Sequence, residues 1–483
     1  MDGGAVSEQL MRSLASDLSH RKVSVPEKVG YDMLDAYHSN RQPLKFLHPD
    51  IRQQVGDRLT ALAINWARVI IGSVEERLDV EGFRLGTDSA ADDDLWRIWQ
   101  ANDLDEWSQL GHVDAMKFGR SFGLVWGDED DPETPRISVE SARQMTVQYR
   151  PGSRRVEAAA KVYVDPDSEA GNPTPQQVGW LYLPDRAERY EGGGTSNRWT
   201  KVDELPNPLG VVSVVPLVNR PRLDDLSGES ELVDVLPLVD AVNKLATDMM
   251  VASEKQAMGD RYATGIEIPR EAQNNERLRA EVAHRWEEAT KGKTWLAGPG
   301  VEFGQFPAAQ LTNFIAAIEM LQRTIAALAG LPPHYTGQSS DNPASADAIR
   351  SAEASLIKRT LRKMRGFGGS WEELMRLAMC VRDGIPRADL DRKFDRLETQ
   401  WRDPATPTPA QKADAAVKLV TANIITVDQA LEDLGYTPQQ IVKNKADRRA
   451  AAVESAALNL SNVFQPQQPP VVAPVVEPDA GVR

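Results

Sequence analysis

The strongest restriction on how this chain folds is a pair of narrow apolar stripes. From Pro237 to Met258, Leu238, Val242, Leu245, Met249 and Ala252 recur at alternating four- and three-residue steps. From Ala308 to Ala329 the pattern returns with Leu311, Phe314, Ile318, Leu321, Ile325 and Leu328. Such steps put side chains on one side of an α-helix, and so thin a stripe is the seam of a helix packed on other helices. The flanks are polar or small, which leaves each helix a face for other copies of the chain. Pro237 is tolerated in a first helical turn, and Gly330 followed by Pro332-Pro333 stops the second helix. Between the two lies a mixed, charged insert, Gly259 to Phe306.

With 483 residues the chain exceeds what one hydrophobic core usually serves, so two or more modules are expected. Helical periodicity runs from Ile51 to Leu78, opens again at Asp92-Asp93-Asp94, where acidic residues suit a helix N-terminus, and continues from Asp103 towards Phe118. From Phe122 to Lys201 short β-like runs such as Met145–Tyr149, Ala160–Val164 and Gly179–Leu183 alternate with Gly, Pro and Asp clusters, as in an antiparallel sheet. Ser345 is placed as the N-cap of a long helix reaching past Gly369. The fold class is therefore α+β, mainly helical. Its expected divisions are 1–236 (an arm, helices and antiparallel sheet), 237–258 (seam helix), 259–306 (insert), 307–330 (seam helix), 331–345 (polar loop), 346–403 (long helix), 404–463 (small helical module) and 464–483 (Pro-rich flexible tail). No internal repeat is evident.

Several function classes fall away. No apolar run approaches the roughly 20 residues that span a bilayer, and Met1 to Lys22 lacks the pattern of a secretory signal. A single cysteine, Cys380, read as buried on a helix, excludes an internal disulfide framework and suits a reducing compartment. A formal charge of −15 disfavours a phosphate-backbone clamp, which needs a Lys/Arg surplus, while leaving sliding contact with DNA open. Gly292-Lys293-Thr294 is half of a phosphate-binding loop, but Glu287 stands where that loop needs glycine. Ser355-Leu-Ile-Lys358 with Ser340-Asp341-Asn342 has the elements of a penicillin-recognising serine enzyme in reversed order, without Lys-Thr-Gly, and reads better as a polar loop before an exposed helix face. The acidic run Asp128-Glu129-Asp130-Asp131 has the oxygens for a divalent cation, against a solvated turn as the plainer reading. His20, His38, His48, His112, His284 and His334 show no metal-ligand spacing. Trp96, Trp99 and Trp107 read as core or interface anchors rather than base-stacking platforms. No catalytic set, cofactor or metal site is expected.

Six stretches, in order, carry a resemblance: Asn65-Trp-Ala-Arg68 with Glu76–Arg84, Leu238-Val-Asp-Ala-Val-Asn243, Arg261-Tyr-Ala-Thr-Gly265, and Gly330-Leu-Pro-Pro-His334 with Asp341-Asn-Pro-Ala-Ser-Ala346. From about Leu34 to Trp401 the chain resembles the portal proteins of long-tailed double-stranded DNA phages, particularly those of actinobacterial hosts. The resemblance implies a wing, stem, clip and crown architecture, with twelve copies in a ring. The stem helices would meet neighbours through Leu238, Val242, Leu245, Met249, Leu311, Ile318, Leu321 and Ile325. Residues 259–306 would form the clip, offering Trp286 and Trp295 to partners, and His334, Tyr335, Gln338, Ser339, Ser340, Asp341 and Asn342 would lie on a channel loop. That loop carries no Lys or Arg, so a duplex would slide past it. Residues 410–460 would form or support the crown. The implied partners are further copies of the chain, the packaging ATPase (terminase), major capsid and scaffold proteins, a head-completion adaptor and the double-stranded DNA in transit. Assembly would occur in the host cytoplasm, and the product would sit at one capsid vertex of the virion. Two other readings are a metal-dependent nuclease of the packaging machinery acting at Asp128, and a protein scaffold that never meets DNA.

Overall fold

The computed structural model describes residues 3–24, 28–43, 63–86, 92–165, 176–193, 197–258, 261–265, 275–290, 300–305, 310–337, 346–405, 409–436 and 438–463. It divides into two compact units, Met1–Pro404 and Ala405–Arg483.

In the first unit, helix α1 (Gly3–Lys22) is followed by α2 (Tyr31–His38), α3 (Trp66–Glu75), strand β1 (Val80–Leu85), α4 (Asp93–Ala101) and α5 (Leu104–Phe118). The helix expected from Ile51 starts only at Trp66 within the described residues; 44–62 lie outside them. The Asn65 side chain sets the start by accepting from Arg68 N at 3.0 Å, taking up a backbone donor that a longer helix would have paired internally. Asp92 caps α4 in the same manner through Leu95 N.

Strands β2 (Arg120–Trp126), β3 (Arg136–Ser141) and β9 (Val214–Val218) form one antiparallel sheet in the order β3-β2-β9. β4 (Met145–Tyr149), β5 (Val156–Val164), β6 (Gln177–Tyr182), β7 (Arg186–Gly193) and β8 (Arg198–Pro206) form a second, a meander in chain order. Helix α1 packs on this meander, with Met11, Leu14 and Ala15 against Ala158, Ala160, Leu181, Tyr190 and Trp199.

The larger core gathers around the long helix α9 (Ala346–Asp383), which packs on β2, β9 and β12 (Leu397–Trp401), the antiparallel partner of β1. Since α5 and α9 both lie against β2, that strand is buried from Arg120 to Val125 and does not alternate. Gly123 allows the approach of α9: a Cβ there would come within 2.2 Å of Leu374. Trp99, Phe83 and Trp371 sit at the centre, Trp99 edge-on to Trp371 with centroids 5.1 Å apart.

The second unit consists of α10 (Pro409–Thr421), α11 (Val427–Asp433) and α12 (Pro438–Val463). Helix and strand are thus mixed in the chain as a whole.

Candidate functional site

The two seam stretches form a helical hairpin. Helices α6 (Leu236–Met258) and α8 (Leu311–Ala329) pack on one another, and beyond their far ends β10 (Arg261–Thr264) pairs with β11 (Glu302–Gln305) in an antiparallel ladder running from Arg261↔Gln305 to Thr264↔Glu302. Helix α7 (Glu276–Thr290) lies between those two strands in sequence.

The near end of the hairpin is rooted in the body. Val239, Val242, Ile325 and Ala326 are buried in its core. Tyr37 Oη donates to Asp240 Oδ1 at 2.6 Å, and Ile64 N donates to Asn243 Oδ1 at 2.9 Å. The two buried side-chain oxygens are thereby paired, while Asn243 Nδ2 is buried without a partner among the described residues.

Gly330, at φ 70°, caps α8 in the left-handed conformation, and Leu331 N returns to Ala326 O at 2.8 Å. A short 3-10 turn, Pro333–Thr336, follows. One guanidinium pins its foot: Arg77 reaches Tyr335 Oη (3.3 Å), Glu353 Oε1 (3.3 Å) and Pro404 O (2.8 Å). Both charged groups of the Arg77–Glu353 pair are nearly shielded from solvent.

The stem residues expected from the sequence divide into two sets. Val242 and Ile325 are 0% exposed within their own chain and present no surface to another copy. Leu238, Leu245, Met249, Leu311, Ile318 and Leu321 are half-buried. The outward apolar side chains of α8 include Ile315 (48% exposed) and Met320 (60%), off the seam on flanks taken as polar or small. A three- and four-residue pattern marks the side a helix buries and is blind to single apolar residues on the other side. Of the loop residues, His334 is exposed and Tyr335 half-buried, whereas Gln338, Ser339, Ser340, Asp341 and Asn342 lie outside the described residues. Trp295 does too, and Trp286 is placed on α7 by its backbone alone.

The other chemistry-bearing candidates have local partners. Asp128 is engaged by Arg136 at 2.6 Å, and that hydrogen bond, with one from Asp130 N, holds its carboxyl below the usual range. Among the described residues no group of three or more His, Cys, Asp or Glu is arranged to hold a metal ion. His112 has the partner that its sequence context did not reveal: it accepts from Trp371 Nε1 at 2.9 Å and stacks on Phe367, and burial pushes its pKa down to about 3. Burial pushes the Cys380 thiol up to about 11, the state of an inert core thiol. Trp99 is in the core, Trp96 packs beside it, and Trp107 is 50% exposed. No described helix is long and apolar enough to cross a membrane.

A cleft of about 420 Å³ opens beside the root of the hairpin, with Ile70, Val74, Leu328 and Phe367 on its apolar side. Its charged side includes a shielded pair, Lys363 with Glu231, to which Asn219 contributes. Burial pushes the Glu231 carboxyl up, but the Lys363 ammonium, with Asn219 and Arg220, more than offsets this and leaves it below its usual range. Arg220 and Asp234 pair at 2.9 Å on the same rim.

Comparisons with known proteins identify the family of the chain. Residues 33–449 match the family described as phage portal protein, SPP1 Gp6-like. The chain is 36% identical over 448 residues to the portal protein of Mycobacterium phage L5, covering 86% of this chain and 87% of that protein. It is 37% identical over 412 residues to the portal protein of Mycobacterium phage D29, covering 82% and 80%. A solved structure titled "Neck of empty GTA particle computed with C6 symmetry" aligns with 81% of this chain and 93% of its own at 11% identity and a TM-score of 0.46. A family match over most of the chain, joined to such relatives, means that this protein belongs to the SPP1 Gp6-like phage portal family and is a structural portal subunit of a phage virion.

Proposed function

We propose that copies of this chain close into a ring around a channel for double-stranded DNA at the capsid vertex, with twelve copies as the family resemblance implies. The observation that carries this is the rooted hairpin of α6 and α8, held at both ends and bearing apolar side chains, Ile315 and Met320, that its own chain leaves exposed. A ring requires a contact between two different faces of neighbouring copies, repeated until the rotation closes. In this reading the hairpin is the stem, and residues 259–306, with Trp286 and Trp295, are the clip that meets the packaging ATPase and the head-completion adaptor. The turn after Gly330 enters the channel loop of Gln338 to Asn342, the body forms the wing against capsid and scaffold proteins, and residues 404–463 supply the crown. Assembly takes place in the host cytoplasm.

Light scattering after size exclusion, with negative-stain electron microscopy, tests the ring. The parent chain is expected to give large annular particles. Ile315→Asp with Met320→Asp places charges in the contact while leaving each copy's core untouched, and should yield folded, smaller species. A parent chain that stays monomeric at every concentration and salt would sink the ring.

A further inference from the structure

In a chain of net charge −15, cations on the described surface are commonly taken up by carboxylates: Arg84 by Glu398, Arg136 by Asp128, Arg402 by Asp79 and Glu81. Helix α9 departs from this. Between Glu353 and Glu372 it carries five cations, Lys358, Arg359, Arg362, Lys363 and Arg365, and no anion. Lys363 is bound to Glu231, and Asp234, the other acid lining the cleft, is taken by Arg220. Lys358, Arg362 and Arg365 are exposed, and no carboxylate pairs with them among the described residues.

At 3.6 residues per turn these three side chains fall within about 60° of arc and span about 10 Å of helix axis. One strand of duplex DNA presents a negative charge every 3.4 Å or so, so three cations over that length oppose about three phosphates.

Two glycines add an independent observation. Gly366 and Gly369 lie within α9 beside Arg365, and a Cβ built at either meets nothing within 4 Å. Their own chain has no need of the space, unlike Gly368, where a Cβ would press on Trp401. Glycine in a helix interior is unfavourable, and one of its uses is to let another molecule approach the backbone.

We infer that the stripe of Lys358, Arg362 and Arg365, with the bare backbone at Gly366 and Gly369, is a contact site for the phosphate backbone of duplex DNA. It rests on the proposed channel only in placing DNA within reach of α9. A neighbouring copy fits less well: the stripe's exposed apolar side chain is Leu361, with no aromatic residue, whereas subunit contacts bury aromatic and apolar anchors of the kind found at Ile315 and Met320. The overall negative charge disfavours a strong clamp and is compatible with a short local grip on a duplex that slides elsewhere.

The test is fluorescence anisotropy of a labelled duplex of arbitrary sequence with the full chain over a series of KCl concentrations. The comparison variants are Lys358→Gln/Arg362→Gln/Arg365→Gln and Arg362→Lys. Parent binding should weaken with salt, and the triple variant should lose about 2.7 from the log–log slope for each copy engaged, or about 40-fold in affinity over a fourfold salt range. Arg362→Lys should keep the slope. Light scattering and helical melting on the same samples separate the alternatives. A parent that does not bind duplex at low salt, or a triple variant with unchanged slope, overturns the site. So does a triple variant that loses its oligomer while binding DNA as before, because the stripe would then be a subunit contact. If the slope falls as expected in a chain that forms no ring, the site stands and the ring is what fails.

Discussion

His112 shows how a single buried side chain makes the body sensitive to acid. Its Nε2 accepts from Trp371, so its proton resides on Nδ1, which has no partner among the described residues. The folded imidazole resists protonation down to about 3, against 6.5 for an unperturbed histidine. Between those values the unfolded chain binds a proton that the native chain does not, so the contribution is complete above 6.5 and is lost as pH falls. The loss amounts to about 1.4 kcal/mol per pH unit, or about 2 kcal/mol by pH 5. Urea unfolding at pH 7 and pH 5 should show His112→Leu with a shallower decline than the parent, from a lower starting stability because the Trp371 donor is left unpaired, at about 1–3 kcal/mol. An equal decline in both would remove His112 as the source.

At the level of elements, the long helix α9 serves two environments. Its later turns, with Trp371, Leu374 and Cys380, are enclosed by β2, β9 and β12, whereas Gly366 and Gly369 face open space. Replacing either of those two by alanine should therefore stabilise the body by about 1 kcal/mol, since alanine is the better helix former and has nothing to strike. Gly123→Ala should do the reverse by about 1–3 kcal/mol, its added methyl driving Leu374 aside. Thermal melts of the three variants check both signs. A fall in Tm for Gly366→Ala and Gly369→Ala would mean that α9 is not regular there.

The whole molecule divides its apolar burial unequally. The unit Met1–Pro404 contains both hydrophobic cores, whereas in Ala405–Arg483 the buried apolar residues among those described are Ala416 and Ala430, with Val417, Ile424, Val442 and Val453 largely exposed. A chain ending at Pro404 is expected to keep the parent's cooperative melt. A fragment of residues 405–483 should show helical circular dichroism that fades without a sharp transition, because so little burial cannot offset the ordering of its backbone. Scanning calorimetry of the two pieces decides this, and a sharp transition in the fragment would count against it.

What the sequence determined by itself was whatever is local or periodic. The two seams, the Gly330 stop, the β-runs after Phe122 and the long helix after Ser345 follow from spacing and from residues that restrict the backbone, and the ordered motifs from Asn65 to Ala346 pointed to the portal family that the relatives bear out. What only the tertiary structure decided depends on which distant residue arrives opposite. Nothing near His112 in sequence foretells Trp371, and nothing around Arg77 foretells Tyr335, Glu353 and Pro404. Equal-looking members of one stripe also part company, Val242 and Ile325 being sealed in the body while Leu245 and Met249 are only half covered. The reason is physical: periodicity reports the direction in which a side chain leaves its own helix, and burial and pairing depend on what the rest of the chain brings to meet it.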